Sequence, residues 1–431
     1  MSPRIRSARS AGLTASAIGT GAVSGALAAG ANFVTVPWAA GLGASAGAVA
    51  LYSGLAWQRR VDLREAGRAW HEAVAPGPDG SGPDDSAARG SSVLAALNPD
   101  REVVPYSPLH GSHLREVVRW CGETGRGPVW RVAGPAGAGK TRLLIEAARQ
   151  LKQEGWACGW VRRGRAADAV AAAGLRPGGV LLIVDDADTL PDHGDLAAML
   201  TDAVRGDYPL LRIVLGGRDF GGWWRDLRAG LDPAVHAAVT PSGPTWLTGL
   251  TGASADRQQL FANAARRYAA FLDRPVPSTT LTGPHAGATF AELHAAAAAA
   301  AERGLTGAFD LSTALDHLFS VEESWWAANA ADAGITHPPA VLHAAVTVAT
   351  LLGARDCEQT ARRLACLPGL TTTPFERLTE LALWLRQLYA QRSGTWLDPH
   401  LPARIAERYA ARCAARQPGL PSALATAALT A

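Results

Sequence analysis

Residues Val129 to Thr141 read V-W-R-V-A-G-P-A-G-A-G-K-T, and no other stretch limits so strongly what this chain can fold into. An apolar, β-prone run over 129–133 breaks at Gly134 into a glycine-rich turn. The turn ends in Gly139-Lys140-Thr141 at the head of a helical pattern, Leu143-Leu144-Ile145 with Ala147-Ala148. A strand that stops in G-x-x-x-x-G-K-[ST] and opens a helix is built to wrap phosphate. Glycines at 134, 137 and 139 let the backbone turn its N–H groups inward, and the helix N-terminus behind them adds positive dipole. The binding segment is Gly134, Pro135, Ala136, Gly137, Ala138, Gly139, Lys140, Thr141 and Arg142. In it, Lys140 is predicted to reach the β- and γ-phosphates and Thr141 to hold Mg²⁺. The expected ligand is a nucleoside triphosphate. Lysine occurs elsewhere only at Lys152 in an arginine-rich chain, which makes its presence at 140 stand out.

Around this turn, strand-like and helix-like blocks alternate. Strands are predicted at 129–133, 156–161, 179–185 and 210–215, with a possible fifth at 245–250, and helices at 141–153, 165–173 and 194–205. Such alternation with buried apolar runs predicts an α/β fold, a parallel sheet covered on both faces. The run Val180-Leu-Leu-Ile-Val184-Asp185-Asp186 places two acids at the carboxyl edge of a central strand. Asp185 is expected to bind Mg²⁺, and Asp186 to orient or deprotonate the attacking water, with a solvated or capping Asp186 as the alternative. Asp188 reads as a helix cap. The next strand ends in Gly216-Gly217-Arg218-Asp219, where Arg218 is expected to meet the γ-phosphate or else to pair with Asp219. Trp223 and Trp224 read as core residues. His110 and His113 read as surface or capping residues, since no further metal ligands accompany them.

Residues 10–58 contain no Asp, Glu, Lys or Arg, long enough for two spans of roughly 20 residues each. They are predicted at about 11–31 and 36–57, with Trp38 and Trp57 at interfacial positions and small-xxx-small pairs at Gly21/Gly25 and Gly43/Gly47. Arginines outside both ends orient a transmembrane hairpin with its termini, and the ATPase, in the cytoplasm. A signal peptide ending near Ala26-Leu27-Ala28 and a buried helical hairpin are the competing readings. A basic helix follows to about Val74, able to rest on membrane lipid or simply solvated, and then a Pro/Gly/Ser/Asp-rich linker over 76–92.

The C-terminal half is helical in pattern. Ser254 to Leu272 reads as the first helix of a lid, Ala295 to Ala301 as helix by propensity alone, and 311–331, 341–352, 356–366, 374–391 and 402–415 as further helices. Gly394 to Leu397 fits a β-wing. The expected domains are 1–58 hairpin, 59–92 basic helix and linker, 93–252 nucleotide-binding domain, and two helical regions at 253–335 and 336–431. A net charge of +3 makes no electrostatic case for nucleic acid, and none is expected as a partner. Five cysteines without C-x-x-C spacing make neither a metal site nor a disulfide framework.

These features together resemble the STAND-class ATPases of the wider AAA+ group, specifically actinobacterial-type members. The resemblance rests on Val103-Val104-Pro105-Tyr106, Gly134 to Thr141, Val180 to Asp186, Arg218-Asp219 and Trp223-Trp224, and covers roughly residues 95–430. It implies a P-loop core followed by an all-α lid and a winged-helix-like domain, binding ATP or ADP with Mg²⁺. It further implies a signalling switch whose nucleotide state controls conformation or homo-oligomerisation. The chain departs from the family at Gly287 to His294, which lacks the lid proline that contacts nucleotide. No sensor repeats follow before Ala431, so an unidentified sensor or client protein is an expected partner. An AAA+-like motor acting on a protein client at the membrane, and a nucleotide-binding scaffold that does not hydrolyse, are the alternatives.

Overall fold

The computed structural model describes residues 65–76, 92–190, 193–206, 208, 210–240, 243–248, 250, 254–282, 288–388, 396–397 and 401–430. Two compact units divide the chain, Met1–Glu72 and Ala73–Ala431. Of the first, residues 65–72 are described and are helical.

The second unit opens with β1 (Val74–Pro76) and reaches α1 (Gly111–Gly122) through three short 3₁₀ turns. There follow β2 (Val129–Ala133), α2 (Lys140–Gln153), β3 (Ala157–Val161), α3 (Ala166–Ala173), β4 (Val180–Val184) and α4 (Gly194–Arg205). Then come β5 (Leu211–Gly217), α5 (Gly222–Ala229), α6 (Pro233–Val239) and β6 (Thr245–Trp246). The sheet order is β1-β3-β4-β5-β2-β6, parallel throughout except for β1, which runs antiparallel to β3. Every residue of β4 and of β5 is buried, as continuous Val/Ile/Leu runs require of strands covered on both faces. Leu143, Leu144 and Leu151 of α2 join Leu114, Val117 and Trp120 of α1 in one core over Val132, Leu181, Ile183 and Val214. Because β5 lies between β2 and β4, its carboxyl end falls between the glycine turn that follows β2 and the acids that follow β4. The strand order thus gathers all three chemistry-bearing segments at one sheet edge.

The rest of the unit is helical: α7 (Ser254–Phe271), α8 (Phe290–Arg303), α9 (Leu311–Asp332), α10 (Pro339–Leu352), α11 (Cys357–Leu364), α12 (Phe375–Leu388), α13 (Ala403–Arg416) and α14 (Leu420–Leu429). These helices share a single apolar core that includes Phe261, Tyr268, Trp326, Trp384 and Tyr409. Two strands, β7 (Ser278–Thr282) and β8 (Thr306–Asp310), pair in parallel on either side of α8. Their sequences, S-T-T-L-T and T-G-A-F-D, lack apolar alternation and give no strand signal. Ala295 to Ala301 are all fully buried, so the run does more than favour helix: its small side chains let α8 lie close to α7, α9 and α13. A capping box starts α8, with the Thr289 hydroxyl accepting from the Glu292 N–H at 3.3 Å and Glu292 accepting from the Thr289 N–H at 3.0 Å. Of the expected wing, Leu397 pairs with Ala354 through two backbone bonds of 2.8 and 3.0 Å, and Gly394 and Thr395 lie outside the described residues.

The membrane placement expected from the sequence is corrected here. Among the described residues no helix is long and apolar enough to cross a membrane. The longest described helix, α9, has 22 residues but carries Asp316, Glu322, Glu323 and Asp332. Its apolar side faces the helical core. The two segments on which the expectation rested, 11–31 and 36–57, lie outside the described residues.

Candidate functional site

The glycine turn owes its shape to positive φ at Gly134 (155°), Gly137 (80°) and Gly139 (96°). Two of the three also meet close neighbours. A Cβ on Gly134 would fall 2.5 Å from the Leu247 carbonyl oxygen, and one on Gly137 2.8 Å from Thr289 Oγ1 and 2.9 Å from Ala291 Cβ. The N-terminal end of α8 therefore sits directly on the turn, and the Ala291 N–H donates to the Gly137 carbonyl at 3.2 Å. Gly134 N–H donates in turn to the Arg218 carbonyl at 3.2 Å, tying the turn to the end of β5.

Lys140 is buried, and its ammonium donates to the carbonyls of Gly134 (2.9 Å) and Pro135 (3.2 Å). Thr141 Oγ1 donates to Asp185 Oδ2 at 2.6 Å, so the hydroxyl and the carboxylate expected to share a cation stand side by side. Arg142 turns elsewhere: it pairs with Glu102 at 3.0 Å and reaches the Val104 carbonyl at 3.5 Å, which anchors the segment before α1. Asp186 is exposed and left-handed (φ 51°, ψ 42°). Its N–H donates to Asp185 Oδ1 at 3.1 Å.

Arg218 does not pair with Asp219, whose carboxylate instead accepts from the Gly221 N–H at 2.8 Å. Its guanidinium reaches Glu407 on α13, 2.9 Å away. Behind this contact lies a second ion cluster. Glu292, only 1 % exposed, accepts from Arg404 Nε (3.2 Å) and from Arg408 Nε and Nη2 (3.1 and 2.9 Å). Further along α13, Arg412 and Arg416 pair with Glu323 of α9 at 3.4 and 3.0 Å. Arginines at i, i+4, i+8 and i+12 place four cations along one side of α13, clamped against α8 and α9.

His110 is a correction to the sequence reading. It is buried rather than a surface residue, and its side chain makes no capping bond to α1. Its Nε2 lies 3.2 Å from the Ala138 carbonyl, and its ring packs on Phe290 of α8 at 5.1 Å between centroids. Burial, opposed by the Ala138 hydrogen bond, holds His110 below its ordinary pKa. Burial, then the charge of Arg142, pushes His294 down to about 4. Burial also pushes the Glu292 carboxyl up. Hydrogen bonds from Thr289 and Arg408 and the charge of Arg404 outweigh that, and the net shift is downward.

All three shifts have one sign for stability. Below pH 6.5 the unfolded histidines take up protons that His110 and His294 resist in the fold. Their contribution is full above 6.5 and is lost as pH falls through their lowered folded values, which for His294 is about 4. Glu292 adds a further loss where pH falls below its ordinary value of 4.5 and through its lowered folded one. The urea midpoint is therefore expected to fall steadily from pH 7 to pH 4.5; a flat midpoint across that range would contradict these environments.

Residues 109–230 match the family described as novel STAND NTPase 5. That segment is a P-loop NTPase domain. No curated protein matches the chain. Among solved structures it is similar to Orc1 of Aeropyrum pernix, determined in complex with DNA, at 16% identity over 76% of this chain and 97% of that one, TM-score 0.36. It is also similar to the Orc2 protein of Aeropyrum pernix in ADPNP–ADP complexes, at 12% identity over 75% and 99%, TM-score 0.39. Cdc6p of Pyrobaculum aerophilum matches at 14% identity over 80% and 91%, TM-score 0.34.

Sequence reasoning missed Glu292, Arg404, Arg408 and Glu407. The i, i+4 spacing of the arginines and the T-x-x-E capping box at Thr289 were both readable signals. What they face across 112 or more residues of chain was not.

Proposed function

We propose that this chain is an ATP-dependent conformational switch of STAND type. ATP with Mg²⁺ binds the Gly134–Arg142 segment and is hydrolysed to ADP. The nucleotide state sets whether α13 stays docked on the ATPase core, and through it whether the chain assembles with copies of itself or engages a protein partner. The observation that carries this reading is the Arg218–Glu407 ion pair, 2.9 Å long and the direct ionic tie between the end of β5 and α13. A γ-phosphate at the glycine turn competes with Glu407 for the same guanidinium. ATP and ADP then differ in affinity for the docked and undocked states, which is what a switch requires.

The residues fit such a ligand. The turn has no side chain at Gly134 or Gly137, and any Cβ there would clash with neighbouring atoms. Lys140 brings a buried cation, and Thr141 with Asp185 offers hard oxygen donors of the kind Mg²⁺ prefers. When bound, Mg²⁺ would be held by Thr141 and Asp185 and would neutralise charge on the β- and γ-phosphates. Lys140 would hold the phosphates in place, and Arg218 would stabilise charge that develops on the departing phosphoryl group.

Hydrogen exchange on the full chain tests the switch. Amides of α13 are expected to exchange faster with a non-hydrolysable ATP analogue than with ADP. Equal α13 protection in the two states would remove the basis for a switch while leaving nucleotide binding intact.

A further inference from the structure

His110 touches both the glycine turn and the helix that sits on it. It ends the last 3₁₀ turn before α1, and the Tyr106 hydroxyl holds its backbone by donating to the His110 carbonyl at 3.1 Å. The buried ring meets Phe290 of α8 at 5.1 Å between centroids. Towards the turn, a Cβ built on Gly139 would fall 3.7 Å from His110 Cδ2 and 3.9 Å from Nε2, so the ring edge runs beside that glycine.

A carbonyl oxygen can only accept. The 3.2 Å contact between Nε2 and the Ala138 carbonyl therefore puts a proton on Nε2. That bond fixes the direction of a peptide, because in a trans peptide the C=O and the N–H point opposite ways. With the Ala138 oxygen turned to His110, the Gly139 N–H is turned away from it. The preceding peptide is held in the same manner, its Gly137 carbonyl accepting from the Ala291 N–H at 3.2 Å. The two N–H groups differ in use. Ala138 N–H closes the turn by donating to the Pro135 carbonyl at 3.1 Å, whereas Gly139 N–H has no acceptor among the described residues. A free N–H where a glycine turn enters a helix is a donor suited to an anionic phosphate oxygen.

We propose that His110 is a positioning residue for phosphate: its Nε2–H holds the Ala138–Gly139 peptide so that the Gly139 N–H is presented to the polyphosphate. This rests on the nucleotide-binding reading above. Donation to the carbonyl also polarises the peptide and strengthens its N–H as a donor, since hydrogen bonds in a chain reinforce one another. His110 acts through this peptide and touches no atom of the nucleotide.

Calorimetric titration of the full chain with inorganic pyrophosphate and with ADP tests the assignment. His110→Phe keeps a ring against Phe290 and removes the donor. It is expected to weaken both ligands about tenfold, the equivalent of about 1.4 kcal/mol. His110→Gln restores an N–H at similar reach and is expected to stay within about threefold of wild type for both. Wild-type affinities in His110→Phe overturn the proposal, and so does an equal loss in His110→Gln, which a mere packing role would produce. A loss confined to ADP also overturns it, since that sets His110 at the nucleoside rather than behind the phosphates. Where His110→Phe fails to fold, NMR spectra of isotope-labelled histidine in the wild-type chain replace it. The Nε2-bound proton of His110, assigned by its absence from His110→Gln, is expected to move downfield when pyrophosphate is added; an unmoved resonance overturns the role. A wild-type chain that binds neither ligand overturns the nucleotide-binding reading, and this assignment with it.

Discussion

Lys140→Ala is expected to leave the purified chain folded and empty. Lys140 is only 6 % exposed, and its ammonium is held by two carbonyls of the glycine turn, at 2.9 and 3.2 Å. It is thus poised at the turn without a carboxylate partner among those contacts. Against a polyphosphate, a fixed cation makes charge-assisted bonds of about 1.5–3 kcal/mol each. Losing two of them costs about 4 kcal/mol, close to a thousandfold in affinity. Stability should change by no more than about 1 kcal/mol, since the substitution removes two hydrogen bonds without opening a gap in the apolar core. The measurement is direct: denature the full-length protein and identify what it releases. Stoichiometric ADP from wild type and none from Lys140→Ala would support a resting switch that awaits exchange. Equal nucleotide in both would refute the role of the turn, and an empty wild type turning over ATP many times per minute would favour a motor.

How much of this was legible in the sequence depends on the range of the interaction concerned. The sheet was legible because its strands are continuous apolar runs, and because the glycine turn has a local spacing that survives any tertiary context. β4 and β5 came within one or two residues of their expected ends. The Thr141–Asp185 contact was legible too, since two local motifs at the same sheet edge have to meet. Asp188 was misread as a cap: it lies inside the 3₁₀ turn Ala187–Thr189 that follows the left-handed backbone at Asp186, and nothing in D-D-A-D announces that turn. The partner of Arg218 was unreadable for a different reason. Asp219 is the nearest acid in sequence, but it is consumed by the turn into α5, and the guanidinium finds Glu407 nearly two hundred residues away. Long charge-free sequence also misled: 10–58 satisfies a hydropathy criterion, and composition alone says nothing about what such a segment packs against.

Glu292→Ala is expected to be the most destabilising single change outside the apolar core. The carboxylate closes the capping box of α8 through the Thr289 N–H and hydroxyl at 3.0 and 3.1 Å, and it also receives Arg404 and Arg408. Removing it leaves two guanidinium groups facing each other over a buried gap and deletes one half of the capping box of the helix that sits on Gly137. Breaking a buried pair costs roughly 3–5 kcal/mol, and because the arginines are 38 and 47 % exposed the low end applies, about 3 kcal/mol. In a unit of this size that lowers Tm by about 5 °C. Glu407→Gln provides the contrast. Its pair with Arg218 is partly exposed and worth at most about 1 kcal/mol, so Tm should barely move. Yet Glu407 is the group a γ-phosphate must displace, so neutralising it is expected to raise the ratio of ATP to ADP affinity about fivefold, the equivalent of that 1 kcal/mol. Calorimetric melting with nucleotide titration separates the two. If Glu292 holds the α13 clamp and Glu407 reads the nucleotide, the first substitution moves Tm and the second moves the affinity ratio. A Glu407→Gln protein with an unchanged ratio would mean that Arg218 meets phosphate without letting go of α13, and that the ion pair is only a structural contact.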